Sequence, residues 1–147
     1  MENGIMLDIF ERISNAMDIT ACGMENYSPL TLAFIGDAVY EVVIRTVVVC
    51  EGNTQVNKLH KKSSTLVKAQ TQAEIIKAIM DELTDEEMAY YKRGRNAKSY
   101  TSAKNASIGD YRMATGFEAL VGYLYLSNQS ERMMQLIKKG IKLIGDK

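Results

Sequence analysis

The sequence predicts an all-α fold, on three observations. Apolar residues recur at spacings of three and four through most of the chain, two helix-start signatures precede apolar runs, and the single proline in 147 residues leaves little punctuation for a sheet. Taken in order, Ile5 to Met17 carries apolar residues at Ile5, Ile9, Ile13 and Met17, an i, i+4 stripe for a first helix. Gly23 to Tyr27 reads as a loop. Ser28 followed by Pro29 is a good helix start, a capping hydroxyl before proline at the first helical position. That helix predicts one broad face holding Leu30, Ala33, Phe34, Asp37, Glu41 and Ile44. The β-branched run Val47-Val48-Val49 weakens its end, and Gly52 is a plausible stop.

Thr54 to about Leu83 reads as two helices with a break near Ser63-Ser64, the second striped by Leu66, Ala69, Ala73, Ile76 and Met80. Thr84-Asp85-Glu86-Glu87 is a capping box whose acids suit the positive end of a helix, so this cluster reads as structural rather than catalytic. The helix it starts ends near Arg93-Gly94. A further helix, Asp110 to Leu126, puts Tyr111, Ala114, Thr115, Glu118, Gly122 and Tyr125 on one face. Its small residues Gly116, Ala119 and Gly122 cost helix propensity but admit another helix at close range. Asn128 to Ser130 is a turn. Glu131 to Ile144 is a last amphipathic helix, with Met134, Ile137, Ile141 and Ile144 expected inward.

The length suits one domain spanning 1–147, large enough to bury a core. Cys22 and Cys50 have neither metal-site spacing nor a redox motif, and read as reduced, partly buried thiols of a cytoplasmic protein. The most hydrophobic stretch, Leu30 to Cys50, is interrupted by Asp37, Glu41 and Arg45, which excludes an ordinary membrane span. Net charge is zero but segregated. Residues 1–57 hold eight acids and two bases, residues 58–147 sixteen bases and ten acids, a hint of an anionic partner.

Two segments carry the chemistry. Leu32 to Tyr40 and Ala114 to Leu120 each set one carboxylate, Asp37 and Glu118, inside an apolar helix-forming stretch. Burying an unpartnered carboxylate is expensive, so two on two apolar helices imply something positive between them, a divalent metal being the economical choice. Between the two segments, residues 92–112 hold six bases (Lys92, Arg93, Arg95, Lys98, Lys104 and Arg112) against one acid, Asp110. Tyr90, Tyr91, Tyr100 and Tyr111 are interleaved with them. Such a stretch is either a solvated loop or a phosphate-contacting surface.

At these residues the chain resembles a known family. Phe34-Ile35-Gly36-Asp37-Ala38-Val39 resembles the signature of the ribonuclease III catalytic domain, and Phe117 to Leu126 resembles the second metal-binding helix of that fold. Arg93-Gly94-Arg95-Asn96-Ala97-Lys98, Tyr111 to Phe117, Leu59-His60 and Ala69-Gln70 are similar to the short bacterial branch, Mini-ribonuclease III. The matches span roughly residues 29–126 in the expected order.

The resemblance implies a ribonuclease III-like helical endonuclease domain that works as a homodimer without a separate double-stranded-RNA-binding domain. It implies magnesium-dependent cleavage of double-stranded or structured RNA to 5′-phosphate and 3′-hydroxyl ends. The usual role of such enzymes is to mature the ends of the 23S ribosomal RNA precursor in the bacterial cytoplasm, assisted by a large-subunit ribosomal protein. Asp37 and Glu118 fall on the two metal-ligand positions that the short branch keeps. Longer ribonuclease III enzymes have two further carboxylates, where this chain has Ala33 and Thr115. With fewer protein ligands, water and RNA phosphate oxygens must fill more of the coordination sphere, which magnesium tolerates. No protein base is then needed.

Arg93, Arg95, Asn96, Lys98, Lys104 and His60 are the candidate RNA contacts. Glu41, one turn beyond Asp37, either supports the site or pairs with Arg45. The competing reading, prompted by Ala33 and Thr115, is a non-catalytic double-stranded-RNA-binding dimer of the same fold. A third is a helical interaction module in which the basic loop is merely solvated.

Overall fold

The computed structural model describes residues 8–98 and 107–145. Seven α-helices lie among the described residues: α1 Ile9–Met17, α2 Pro29–Glu51, α3 Val56–Val67, α4 Ala69–Ile79, α5 Asp85–Arg95, α6 Ile108–Leu126 and α7 Ser130–Gly145. Single 3-10 turns, Met24–Asn26 and Met80–Glu82, precede α2 and follow α4.

Helix α6 is the axis of the molecule. From Phe117 to Tyr125 it is buried at every position but Glu118, with α2, α4, α5 and α7 packed around it. Its partner of greatest extent is α2, started as the sequence predicts: Ser28 Oγ accepts from the Thr31 N–H at 3.1 Å, with Pro29 in the first turn. Gly52, at φ +150°, ends it.

Where α2 crosses α6, glycine meets backbone from both sides. A Cβ at Gly36 would overlap the Glu118 carbonyl oxygen and stand 2.8 Å from the Gly122 nitrogen. A Cβ at Gly122 would overlap the Leu32 carbonyl oxygen. Only residues without a side chain let the two backbones touch here. Helix α5 reaches α6 the same way, a Cβ on Gly94 falling 2.9 Å from the Gly116 Cα. Aromatic rings fill the space around these crossings. Tyr40 meets Phe117 edge-on at 5.3 Å, and Tyr90 stacks on Tyr123 at 4.0 Å.

Helices α3 and α4 part at Lys68, which is extended (φ −68°, ψ 155°), not at Ser63-Ser64 as expected. Ser63 lies inside α3, buried, its hydroxyl donating to the His60 carbonyl at 3.1 Å. Ser63 is therefore absorbed by bonding back into its own helix. The break is held by Tyr40, whose hydroxyl donates to the Leu66 carbonyl (2.7 Å), and by Thr71, whose hydroxyl donates to Thr65 (2.6 Å).

The Thr84 capping box forms as predicted, with Glu87 N–H to Thr84 Oγ1 at 3.1 Å and Thr84 N–H to Glu87 Oε1 at 2.9 Å. Glu87 also receives Arg132 from α7 in two bonds of 2.8 and 2.9 Å. The Arg132 guanidinium holds the Glu87 carboxyl below its ordinary range. The structural reading of that acidic cluster holds for this residue.

Three expectations about facing are corrected. In α1, the predicted stripe points outward at Ile9, Ile13 and Met17, 60, 45 and 67% exposed, while Phe10 is the residue that packs, edge-on to Tyr125. In α7, Met134 is exposed and its neighbour Met133 is buried. Periodicity alone left the phase of these helices open by one position. Finally, Cys22 and Cys50 are exposed rather than partly buried.

The α2–α6 contact generates a stability prediction. Gly36→Ala should cost about 3 kcal/mol, since the obstacle is backbone that cannot rotate away. Urea unfolding measures it, and a loss under about 1 kcal/mol would mean the helices separate easily.

Candidate active site

Asp37 follows Gly36 directly, and the Glu118 carbonyl is the atom against which Gly36 packs. The crossing that requires glycine thus delivers the two carboxylates to each other. Their side chains lie close enough to influence each other's charge, across 81 residues of sequence. Asp37 is on the surface, contrary to its expected burial, whereas Glu118 is half-buried in the wall of the fold.

This environment disfavours charge on Glu118. Its pKa is raised to about 8, first because burial strips its carboxyl of water and then because Asp37 stands beside it. Two buried neutral groups complete the surroundings. Tyr40 comes close enough that the Glu118 charge adds to burial in raising its phenol. Gln72 of α4, 1% exposed, faces Glu118 and favours its ionised form, although the Gln72 Nε2 closes no hydrogen bond of good geometry.

The two further positions that carry acids in longer ribonuclease III enzymes add no charge. Ala33 is buried, and the Thr115 hydroxyl donates back to the Tyr111 carbonyl at 3.0 Å. Among the described residues no three His, Cys, Asp or Glu side chains gather into a metal cluster. Glu41 is taken by Arg45 of the next turn, at 2.8 Å.

The candidate RNA contacts divide. Arg93 is engaged inside the fold: its Nη2 donates to the Tyr27 carbonyl at 2.9 Å and its guanidinium lies 5.3 Å from the Tyr90 ring centre. Arg95 is half-buried, 5.7 Å from the Tyr91 ring centre, with its Nε donating to Asn96 at 3.1 Å. Asn96 and Lys98 are exposed at the end of α5. His60 is exposed on α3, on a cleft of about 210 Å³ shared with Arg45, Val48, Val49, Val56, Leu59 and Ser63. Lys104 lies outside the described residues.

Sequence reading missed Gln72 and Tyr40 as neighbours of Glu118. A signal for Gln72 existed: it stands three residues after Ala69 and four before Ile76, a polar residue on the apolar stripe of α4.

Comparison with known proteins bears directly on this geometry. The Ribonuclease III domain family profile matches residues 30–129, from the start of α2 to the end of α6. A Mini-ribonuclease 3 of Clostridium tetani is 53% identical over 127 residues, covering 86% of this chain and 84% of that protein. This chain belongs to the ribonuclease III family, in its Mini-ribonuclease 3 branch. Mini-ribonuclease 3 of a Thermoanaerobacter species is 47% identical, covering 90% of this chain and 93% of that one. A crystal structure of a Fusobacterium nucleatum protein superposes with a TM-score of 0.75 at 30% identity, covering 86% of this chain and 100% of that one.

Membership of the ribonuclease III family makes the chain an endoribonuclease, and the family acts on double-stranded RNA. The non-catalytic reading falls with it. Among the described residues no helix is long and apolar enough to cross a membrane.

The pairing of the two carboxyls is measurable without substrate. In the metal-free protein, Asp37→Asn should lower the Glu118 pKa from about 8 without restoring the ordinary 4.5, because burial, the larger cause, persists. Carbon-13 NMR titration of the Glu118 carboxyl tests this. An unchanged value would mean the two groups do not interact.

Proposed function

We propose that this protein cleaves double-stranded RNA at the Asp37–Glu118 pair with magnesium, leaving 5′-phosphate and 3′-hydroxyl ends. It does so as a homodimer. Its substrate in the bacterial cytoplasm is the 23S ribosomal RNA precursor, with a large-subunit ribosomal protein assisting. The reading is carried by the meeting of Asp37 and Glu118 at the Gly36–Gly122 crossing.

The residues fit the ion. Two adjoining carboxyls, one of them desolvated, have no positive partner among the described residues, and all-oxygen ligation suits a hard divalent cation that keeps much of its own water. The family is divalent-metal dependent. When bound, such a cation neutralises charge on the scissile phosphate and lowers the pKa of water to supply the nucleophile. Asp37 and Glu118 would hold it, both as carboxylates. Asp37, on the surface, faces the side from which RNA arrives, while Glu118 fixes the site to the rigid centre of α6. The only histidine, His60, is not needed as a base. With Asn96, Lys98, Lys104 and Arg95 it is a candidate for contact with phosphates and 2′-hydroxyls, the features that A-form RNA presents. Arg93, by contrast, is engaged inside the fold by its bond to Tyr27.

Homodimerisation is supported by α2. Leu30, Phe34 and Val42 are 40, 80 and 61% exposed at spacings of four and eight, with Ala38 exposed between them. A large aromatic so exposed, three residues from Asp37, suits a self-complementary twofold contact that would set two sites side by side for the two strands.

Incubating the pure protein with duplex RNA, with and without magnesium, tests the activity. Asp37→Asn and Glu118→Gln should each reduce cleavage by 10²-fold or more, on the order expected for loss of a principal charge-stabilising group, while leaving RNA binding intact. Wild-type cleavage by either variant would overturn the site. Phe34→Asp should convert the dimer to a monomer by light scattering, and an unaltered mass would place the interface elsewhere. Unprocessed 23S ends in cells lacking the protein would support the ribosomal substrate.

A further inference from the structure

Gln72 is a buried polar group that neither the fold nor the two-carboxylate reading uses. It is enclosed, with buried Thr71 and Ala73 on either side, on the face of α4 that packs against α6. Its Nε2 has no hydrogen-bond partner of good geometry, a costly condition for a buried amide and one that apolar side chains of similar size would avoid. The group it faces is Glu118. Other polar groups nearby are already committed: Tyr40 donates to Leu66, Thr71 to Thr65 and Thr115 to Tyr111. Asp37 can only add negative charge. Glu118 therefore has one neutral donor available to it among these neighbours.

We propose that Gln72 is a positioning residue for the active site, its side-chain amide donating to one Glu118 oxygen and so turning the other toward Asp37 and the shared cation. The inference rests on the two-carboxylate reading above. A site with two acids, where Ala33 and Thr115 supply none, depends heavily on how those two are aimed. A carboxylate on a flexible side chain loses rotamer freedom when it binds an ion, and a donor that holds it beforehand lowers that cost. The amide's neutrality matters, because a lysine or arginine there would compete with the cation for Glu118. The present looseness of the Gln72 contact accords with polar geometry that tightens only when a site is loaded.

The test is titration of the wild-type protein, Asp37→Asn and Gln72→Met with manganese alone by calorimetry, beside cleavage assays over a range of magnesium concentrations. Methionine keeps the length and volume of glutamine and removes the donor. Gln72→Met should melt no lower than wild type, bind manganese about 10- to 100-fold more weakly, and recover cleavage at high magnesium. Equal manganese affinity in wild type and Gln72→Met would overturn the assignment while leaving the carboxylate site standing. Wild-type binding that Asp37→Asn does not weaken would overturn both. Should Gln72→Met fail to fold, the Gln72 side-chain amide resonance of the wild type decides. It should shift on adding magnesium and in Glu118→Gln, and a resonance indifferent to both would overturn the proposal.

Discussion

The candidate site of this molecule depends on two helices touching backbone to backbone. Gly36 and Gly122 remove the side chains that would hold α2 and α6 apart, and each packs on a carbonyl of the other helix. Asp37 is beside one glycine, and Glu118 lies one turn before the other. A wider crossing, set by alanine or larger residues, would separate the carboxyls by the thickness of the added side chains. The cost in helix propensity of glycine in mid-helix is thus tied directly to the site.

The site runs against the preferences of the fold around it. Aliphatic and aromatic packing along α6 excludes water from Glu118, and the neighbouring aspartate opposes its ionisation further. Left without a cation, the half-buried Glu118 beside Asp37 is a source of instability in the wall of the fold. That conflict is what makes the arrangement informative, because local inconsistency in an otherwise well-packed core marks function more often than accident. Tyr40 and Gln72 show how the surroundings limit it. Tyr40 turns its hydroxyl away to the α3–α4 break, and Gln72 leaves an amide facing the carboxylate.

The same helix serves two directions. The inward side of α2 holds Leu32, Gly36, Tyr40, Ile44 and Val48 in the core, and its outward side leaves Phe34 and Val42 in solvent. Exposed apolar area thus lies on the same helix that carries Asp37. By contrast, the arginine clusters at the end of α5 are partly spent on structure. Arg93 and Arg95 lie over tyrosine rings, so charge that looked free in the sequence also contributes packing.

The helices themselves, their caps at Ser28 and Thr84, and the setting of one carboxylate, Asp37 or Glu118, in each of two apolar stretches were legible from residue types and spacing, because these are local properties of a chain. The outward turn of the α1 stripe, the burial of Met133 in place of Met134, and the break at Lys68 were not. Each depends on what a neighbouring element offers: Tyr125 for Phe10, and the Tyr40 and Thr71 hydroxyls for the carbonyls around the break. Gln72 belongs with these. Its place on an apolar stripe was visible, but its meaning required knowing that α4 lies across from Glu118. Local pattern specifies which residues want to be buried or charged. Which of them meet is a matter of packing, since only contact between distant segments sets the distances on which hydrogen bonds and charge interactions act.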